Sequence, residues 1–231
     1  MISIAIQKTP SDASHTVPRL GLVSEAAGTI YAMADSEEQT RTHIADPARA
    51  RTREELVAAV EAGAVPKWLM FWGHQAEADG SVGKGVLSQW WPCAFTVEVV
   101  EYTSTENYMM AEKARLFGDD SALGRILAAG SPAEAKKFGR LVQGFDDAVW
   151  SAARFEVVVR GSVAKFGQDG ALRDFLLGTA NRVLVEASPR DAVWGIGLSA
   201  GNERAADPRR WRGRNLLGFA LGEARDRLAA G

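Results

Sequence analysis

Glu106, Met110 and Lys113 stand at i, i+4 and i+7 in the stretch EYTSTENYMMAEKARLFGD, residues 101–119. If that stretch is helical, the three side chains share one face. The stretch has the marks of a helix. Thr103, Ser104 and Thr105 offer oxygens for the orphan N–H groups of a first turn. Asn107 to Phe117 are mostly helix-compatible, and Gly118 suits the C′ stop. Glu106 and Lys113 would be about 10.5 Å apart along the axis, and the lysine leans back toward the N-terminus. The space left between carboxylate and amine is about one pentose wide. A carboxylate there can carry a proton, and an amine beside the apolar Met110 can act as a nucleophile toward a carbonyl. The same spacing also describes a solvated helix face with two unrelated charges.

Further candidates lie on both sides of that helix. Gln89 and the pair Trp90-Trp91 precede Pro92, which disfavours helix there. Two adjacent tryptophans in a loop cannot easily both point inward, so the expectation is one in the core and one free to stack on a flat ring. The strand-like RVLVEAS, 182–188, delivers the chain to a loop holding Asp191, Trp194, Gly195 and Gly197. A G-x-G pair alone is weak evidence for a ligand, but an acid and a tryptophan at a strand end strengthen it. Asn215 sits near the start of the last helix, where an amide can cap or reach a ligand. Gly80, Gly83 and Gly85 surround Lys84 without the spacing of a nucleotide P-loop. His15, His43 and His74 are scattered and Cys93 is the only cysteine, so no metal-ligand pattern and no internal disulfide is expected.

The elements that must position these residues follow in order. Residues 1–50 are expected to be an N-terminal extension. Ile2, Ile4 and Ile6 alternate as in a strand, and a second short strand is expected near Gly28–Met33, in a hairpin or mobile arm. Because termini tolerate loss, a chain beginning near Thr52 is expected to keep its chemistry. Residues 51–231 are expected to form one domain. Thr52 with Glu55 caps a first helix, and KWLMFWG, 67–73, reads as a strand. Phe95, Val97 and Val99 alternate with polar neighbours in a short hairpin or pair of strands. Helices are expected over 119–130, 131–142, 145–167 and 169–179, and at the C-terminus after Asn215. The overall reading is α+β, predominantly helical, with one small sheet built from the Trp68, Phe95 and Val183 regions. A net charge of −2 supplies no global field for nucleic acid, although RRWRGR, 209–214, concentrates positive charge locally. No apolar run approaches the ~18 residues of a membrane span, and the N-terminus is a poor signal peptide. A soluble cytoplasmic protein is the expectation.

Taken together, LSQWWPCAF, the E-x-x-x-M-x-x-K-A helix with FGD, LVEAS-x-x-D-x-x-WGIGL and W-x-G-x-NLLG resemble the YbiA-like N-glycosidases, the NADAR domain family. The resemblance runs in order over roughly Lys67 to Leu228. It implies a YbiA-like fold and cleavage of the bond between a ribose and a base, with no cofactor. Substrates of the family are phosphoribosyl-aminopyrimidine intermediates of riboflavin synthesis or ADP-ribosylated guanine. The implied partners are therefore a small ribosyl or ADP-ribosyl molecule, or ADP-ribosylated nucleic acid. Lys113 corresponds to a lysine implicated in covalent chemistry on the ribose, and Glu106 and Asp191 to the motif carboxylates. Trp90 or Trp194 would stack the base. Gln89, Met110 and Gly195 would shape the pocket, and Asn215 would bind a polar edge or phosphate. Gln89, the Trp90-Trp91 pair and Asn107 depart from the commoner asparagine, Phe-Tyr and histidine. Proton transfer would then fall to Glu106. The rival readings are a non-catalytic ADP-ribose or nucleotide-binding module, and an interaction domain whose tryptophans are core.

Overall fold

The structure, a computed structural model, describes residues 46–231. The strands expected near Ile2–Ile6 and Gly28–Met33 lie outside the described residues. In chain order the described elements are helix α1 (Arg53–Glu61), strand β1 (Lys67–Phe71), the hairpin strands β2 (Phe95–Val97) and β3 (Val100–Tyr102), and helices α2 (Thr105–Leu116), α3 (Asp120–Leu127), α4 (Pro132–Gly139), α5 (Asp147–Gln168) and α6 (Gly170–Gly178). Strand β4 (Arg182–Glu186) and helix α7 (Leu216–Ala230) complete them.

Helix α2 is the hub. The Ser104 hydroxyl accepts the Asn107 N–H at 3.1 Å, and Gly118, with φ of 68°, ends the helix as expected. Every residue from Thr105 to Ala111 is buried, because α3, α4 and α5 pack around it. Its first two turns are enclosed on all sides and have no solvent stripe, which is why its hydrophobic pattern is weak. Asn107 donates to the Ile126 carbonyl at 2.6 Å and so ties α3 to α2. Tyr102, Tyr108 and Phe95 interlock beside it, with Tyr102 and Tyr108 rings 5.0 Å apart and edge-on.

The expected single sheet is two sheets. β1 pairs in parallel with β4, from Lys67 opposite Arg182 to Phe71 opposite Glu186. β2 pairs only with β3, antiparallel, through a turn in which Glu98 and Val99 both have positive φ. That two-residue turn closes the hairpin on itself, and the Gln168 side chain clasps both the N–H and the carbonyl of Thr96. The Phe95 region is thereby held against α5 instead of joining β1. Residues 46–51 pack on α7. Ala48 and Ala50 are buried, and the Arg51 guanidinium engages Glu223 at 2.7 Å and Asp226 at 2.5 Å. No helix among the described residues is long and apolar enough to cross a membrane.

Candidate active site

Parallel strands aim their carboxyl ends at a common edge, and loops leaving that edge commonly carry ligand groups. Here the edge opens into a cleft of about 760 Å³. Trp72, Gly73 and His74 follow β1 into it, Glu186 ends β4 there, and Ser188, Arg190 and Asp191 follow β4. The Gln89–Trp90 segment and Glu106, at the start of α2, form another wall. A third comes from α4, where Ala133, Lys136, Lys137 and Arg140 stand at i, i+3, i+4 and i+7 and so share one face. A larger open groove, about 1040 Å³, runs beside β1, but its charged groups Glu77, Asp79, Lys84 and Arg182 are exposed and it holds none of the motif residues.

Three carboxylates meet in the cleft. Glu106 is 2% exposed, and its Oε1 has no hydrogen-bond partner. Burial pushes its carboxyl up to about 7, while the Lys136 ammonium and a hydrogen bond from the Trp90 side chain pull the other way. Glu186 is partly buried with Oε2 enclosed and unpartnered. Burial, reinforced by Asp191, pushes it up to about 8 against the pull of Lys136, with Glu106 adding to the rise. Asp191 differs, since its Oδ1 accepts the N–H groups of Val193 at 2.8 Å and Trp194 at 2.7 Å. Trp90 shares the cleft wall with these acids, its ring centroid 5.7 Å from Lys136 Nζ and 5.8 Å from that of the His74 ring. Trp91 packs instead against the main core, so the two tryptophans divide as their adjacency suggested. Gln89 is buried and lines the cleft, with its Oε1 unpartnered.

Of the residues expected from the sequence, Glu106, Asp191, Gln89, Trp90 and Trp194 line this cleft. Lys113, Met110, Gly195 and Asn215 do not. The Lys113 amine donates to the Gly139 carbonyl at 2.8 Å and lies 4.0 Å over the Phe145 ring. Burial lowers its pKa. Met110 fills the space where a Cβ on Gly139 would stand. Both therefore dock the C-terminal end of α4 on α2, and the pentose-wide gap between Glu106 and Lys113 is not the cleft. Gly195 is a point of close approach, since a Cβ there would stand 2.8 Å from the Glu186 carbonyl and 3.0 Å from that of Asp191. Asn215 is wholly buried in the left-handed region, φ 56°. It accepts the Glu186 N–H and donates to the Leu184 carbonyl, each at 2.9 Å, so it clips α7 to β4.

Sequence reasoning missed Glu186 and the cations of α4. The signal for the first was an acid ending the strand directly after the apolar run Val183–Val185. The signal for the second was the i, i+3, i+4, i+7 spacing in SPAEAKKFGR. A buried carboxyl, a second one rich in proton, and an amine beside a flat aromatic ring can together protonate, stabilise and orient a polar ring substrate.

Known proteins resemble the chain over most of its described residues. The model of the family described as the NADAR domain matches residues 70–229. The N-glycosidase R617 of Acanthamoeba polyphaga mimivirus is 38% identical over 165 residues, covering 69% of this chain and 95% of that protein. The riboflavin biosynthesis protein VVA0006 of Vibrio vulnificus is 32% identical over 144 residues, 62% of this chain but 35% of that longer protein. The NMR structure of the E. coli protein YbiA superposes with a TM-score of 0.54 at 26% identity, covering 72% of this chain and 88% of that one.

Proposed function

Because the chain belongs to the NADAR domain family, we propose that it is an N-glycosidase that hydrolyses the bond between a ribose and a base. The substrate class is a phosphoribosyl or ADP-ribosyl compound of an aminopyrimidine or guanine type. The observation that carries this reading is the unpartnered Oε1 of Glu106, buried in the wall of a cleft that Trp90 and Lys136 also line.

Breaking a ribosyl C–N bond develops positive charge at the anomeric carbon and negative charge on the departing base. In this reading the Glu106 carboxylate faces the anomeric carbon, stabilises its charge and takes the proton of the attacking water. Asp191, its Oδ1 already held by two backbone N–H groups, accepts from ribose hydroxyls through its other oxygen. The base stacks on Trp90 or Trp194. Lys136, with Lys137, Arg140 and Arg190 on the same cleft, supplies cationic partners for the phosphate of a phosphoribosyl or diphosphate group. Lys136 is the cation whose charge acts most on Glu106, and because water attacks in this scheme, the covalent part expected of Lys113 is not used.

The test is incubation of the pure protein with a panel of phosphoribosyl-aminopyrimidines, ADP-ribosylated guanine and their unribosylated controls. Free base and a new reducing sugar should appear together in at least one reaction. A protein that binds members of the panel and releases no base from any would be a binding module instead.

A further inference from the structure

We propose that Glu186 is the acid that protonates the departing base, held for that task by the side-chain amide of Asn215. The inference rests on the N-glycosidase reading and adds to it the group that Glu106 and Asp191 leave unaccounted for. Stabilising a cation and activating water both ask for a carboxylate, and neither gives the leaving nitrogen its proton.

Glu186 is the last residue of β4, on the edge where both parallel strands deliver their loops to the cleft. Its backbone is fixed on both sides. Its own N–H goes to Asn215 Oδ1, and its carbonyl accepts from the Ile196 N–H at 3.0 Å. The Asn215 amide can sit there because asparagine tolerates the left-handed backbone, and because Gly218 leaves room where a Cβ would strike it. The carboxyl is thus carried on a rigid mount while its enclosed Oε2 meets no protein donor. An ionised carboxylate is an acceptor at every lone pair, and enclosing one with no donor is costly. A carboxylic acid suffers no such cost and has a hydrogen to give.

The acids around Glu186 act in the same direction as its burial. Asp191 on its own loop and Glu106 on α2 raise its affinity for a proton, and Lys136 on α4 opposes them. Lys137, Arg140, Arg190 and His74 complete the charged or titratable lining of the cleft. With burial added, the carboxyl is pushed up to about 8, so it carries its proton at neutral pH. Burial raises both carboxyls, but Lys136, the Trp90 side chain and Arg140 favour the ionised form of Glu106, whereas Glu186 has Lys136 alone against Asp191 and Glu106. The proton therefore rests on Glu186 and the charge on Glu106.

The step balances as follows. The C1′–N bond breaks with its electron pair going to nitrogen, which takes the proton of Glu186. Water adds through oxygen to C1′ and gives its proton to the Glu106 carboxylate. The products are the neutral base and ribose with a hydroxyl at C1′. Glu186 is left ionised and Glu106 protonated, and one proton exchanged through water restores both.

Glu186→Gln keeps shape and removes the proton donor. On a ribosylated base that must be protonated to leave, it should lower kcat by about 10²–10⁴-fold with KM little changed. On an N7-methylated purine riboside, whose base departs neutral without gaining a proton, the loss should be under about tenfold. Equal losses on both substrates, or no loss on either, would overturn the assignment while leaving base release by the wild type intact. Base release absent from the wild type would sink the N-glycosidase reading, and the inference with it. A second measurement needs no variant. In protein labelled with ¹³C-glutamate, the carboxyl resonance traced through its own side chain to Glu186 should be that of the acid at pH 7. A signal already ionised at pH 6 would overturn the assignment.

Discussion

Lys165 of α5 donates its amine to the carbonyl of Ser88 at 3.0 Å, one residue ahead of the Gln89–Trp90 segment in the cleft wall. It also donates to the Val86 carbonyl at 2.5 Å, and burial pushes its amine down to about 8. Through this one side chain the longest helix holds the loop that carries the stacking ring. Lys165→Met should leave two carbonyls without that donor, at about 1–3 kcal/mol each. The pH dependence follows from linkage. Between about pH 8 and about 10.4 the unfolded chain keeps a proton that the folded chain has released, so the wild-type contribution grows as pH rises. Urea unfolding at pH 7.5 and 9.5 should therefore show a wider gap between wild type and variant at the higher pH. A gap that narrows would contradict the buried-amine account.

The acids give the opposite sign. Glu106 and Glu186 have folded-state proton affinities raised to about 7 and about 8. The stability this contributes is complete below their unfolded pKa of about 4.3 and is lost as pH rises through 7 to 8. The melting temperature should fall from pH 5 to pH 8, and Glu106→Gln or Glu186→Gln should each flatten that fall. A wild-type Tm that climbs over the interval would oppose the assignment.

Turnover should follow a bell over the same range. Ionised Glu106 is required as the base and proton-bearing Glu186 as the acid, so kcat/KM should rise near pH 7 and decline above about 8. Because the groups are coupled, these are apparent values of the cluster. Removing Glu186 should abolish the alkaline limb only. A flat profile between pH 6 and 9 would count against both roles.

How much of this was legible beforehand depends on what each residue answers to. The caps at Thr52 and Ser104 were readable because a cap is a local hydrogen bond, and each accepts the N–H three residues on. The strands at Lys67 and Arg182 were readable from their apolar runs, but their pairing was not, since register with a partner over 100 residues away leaves no local mark. The cleft residues Glu106, Asp191, Trp90 and Gln89 came from motif text. Lys113 and Asn215 belong to the same text, yet their contacts hold α4 on α2 and α7 on β4, and they do not line the cleft. Motif membership does not distinguish a residue that touches a ligand from one that fixes the mount. Glu186 and Lys136 become candidates only when β4 and α4 are brought to the same opening.

That distinction can be tested on the two lysines. Lys136→Met should lower kcat/KM by at least about 10²-fold, as expected for a charge-assisted partner in the site. Lys113→Arg should keep turnover within about tenfold, since its visible task is a hydrogen bond to the Gly139 carbonyl and contact with Phe145. Borohydride added during turnover should leave Lys113 unmodified. A ribosyl adduct reduced onto Lys113 would restore it to the chemistry and contradict the placement of the site.

Asn215→Ala should be among the most damaging single changes away from the cleft lining. It removes two hydrogen bonds to β4 and puts a Cβ residue without a local partner at φ 56°. The expected cost is about 2–4 kcal/mol, read by chemical denaturation. Asn215→Asp, which keeps the acceptor for the Glu186 N–H, should retain more of the stability than alanine. Equal losses would mean that the clip to Glu186 is not what holds the strand.

The central claim is that base is released at the cleft around Glu106. Its most direct measurement is the initial rate of free-base formation from a phosphoribosyl-aminopyrimidine or ADP-ribosylated guanine, compared between wild type and Glu106→Gln at pH 7.5. The account predicts release by the wild type and a rate lower by about 10²–10⁴-fold in the variant, with the fold retained. Release at equal rates by both proteins would contradict it.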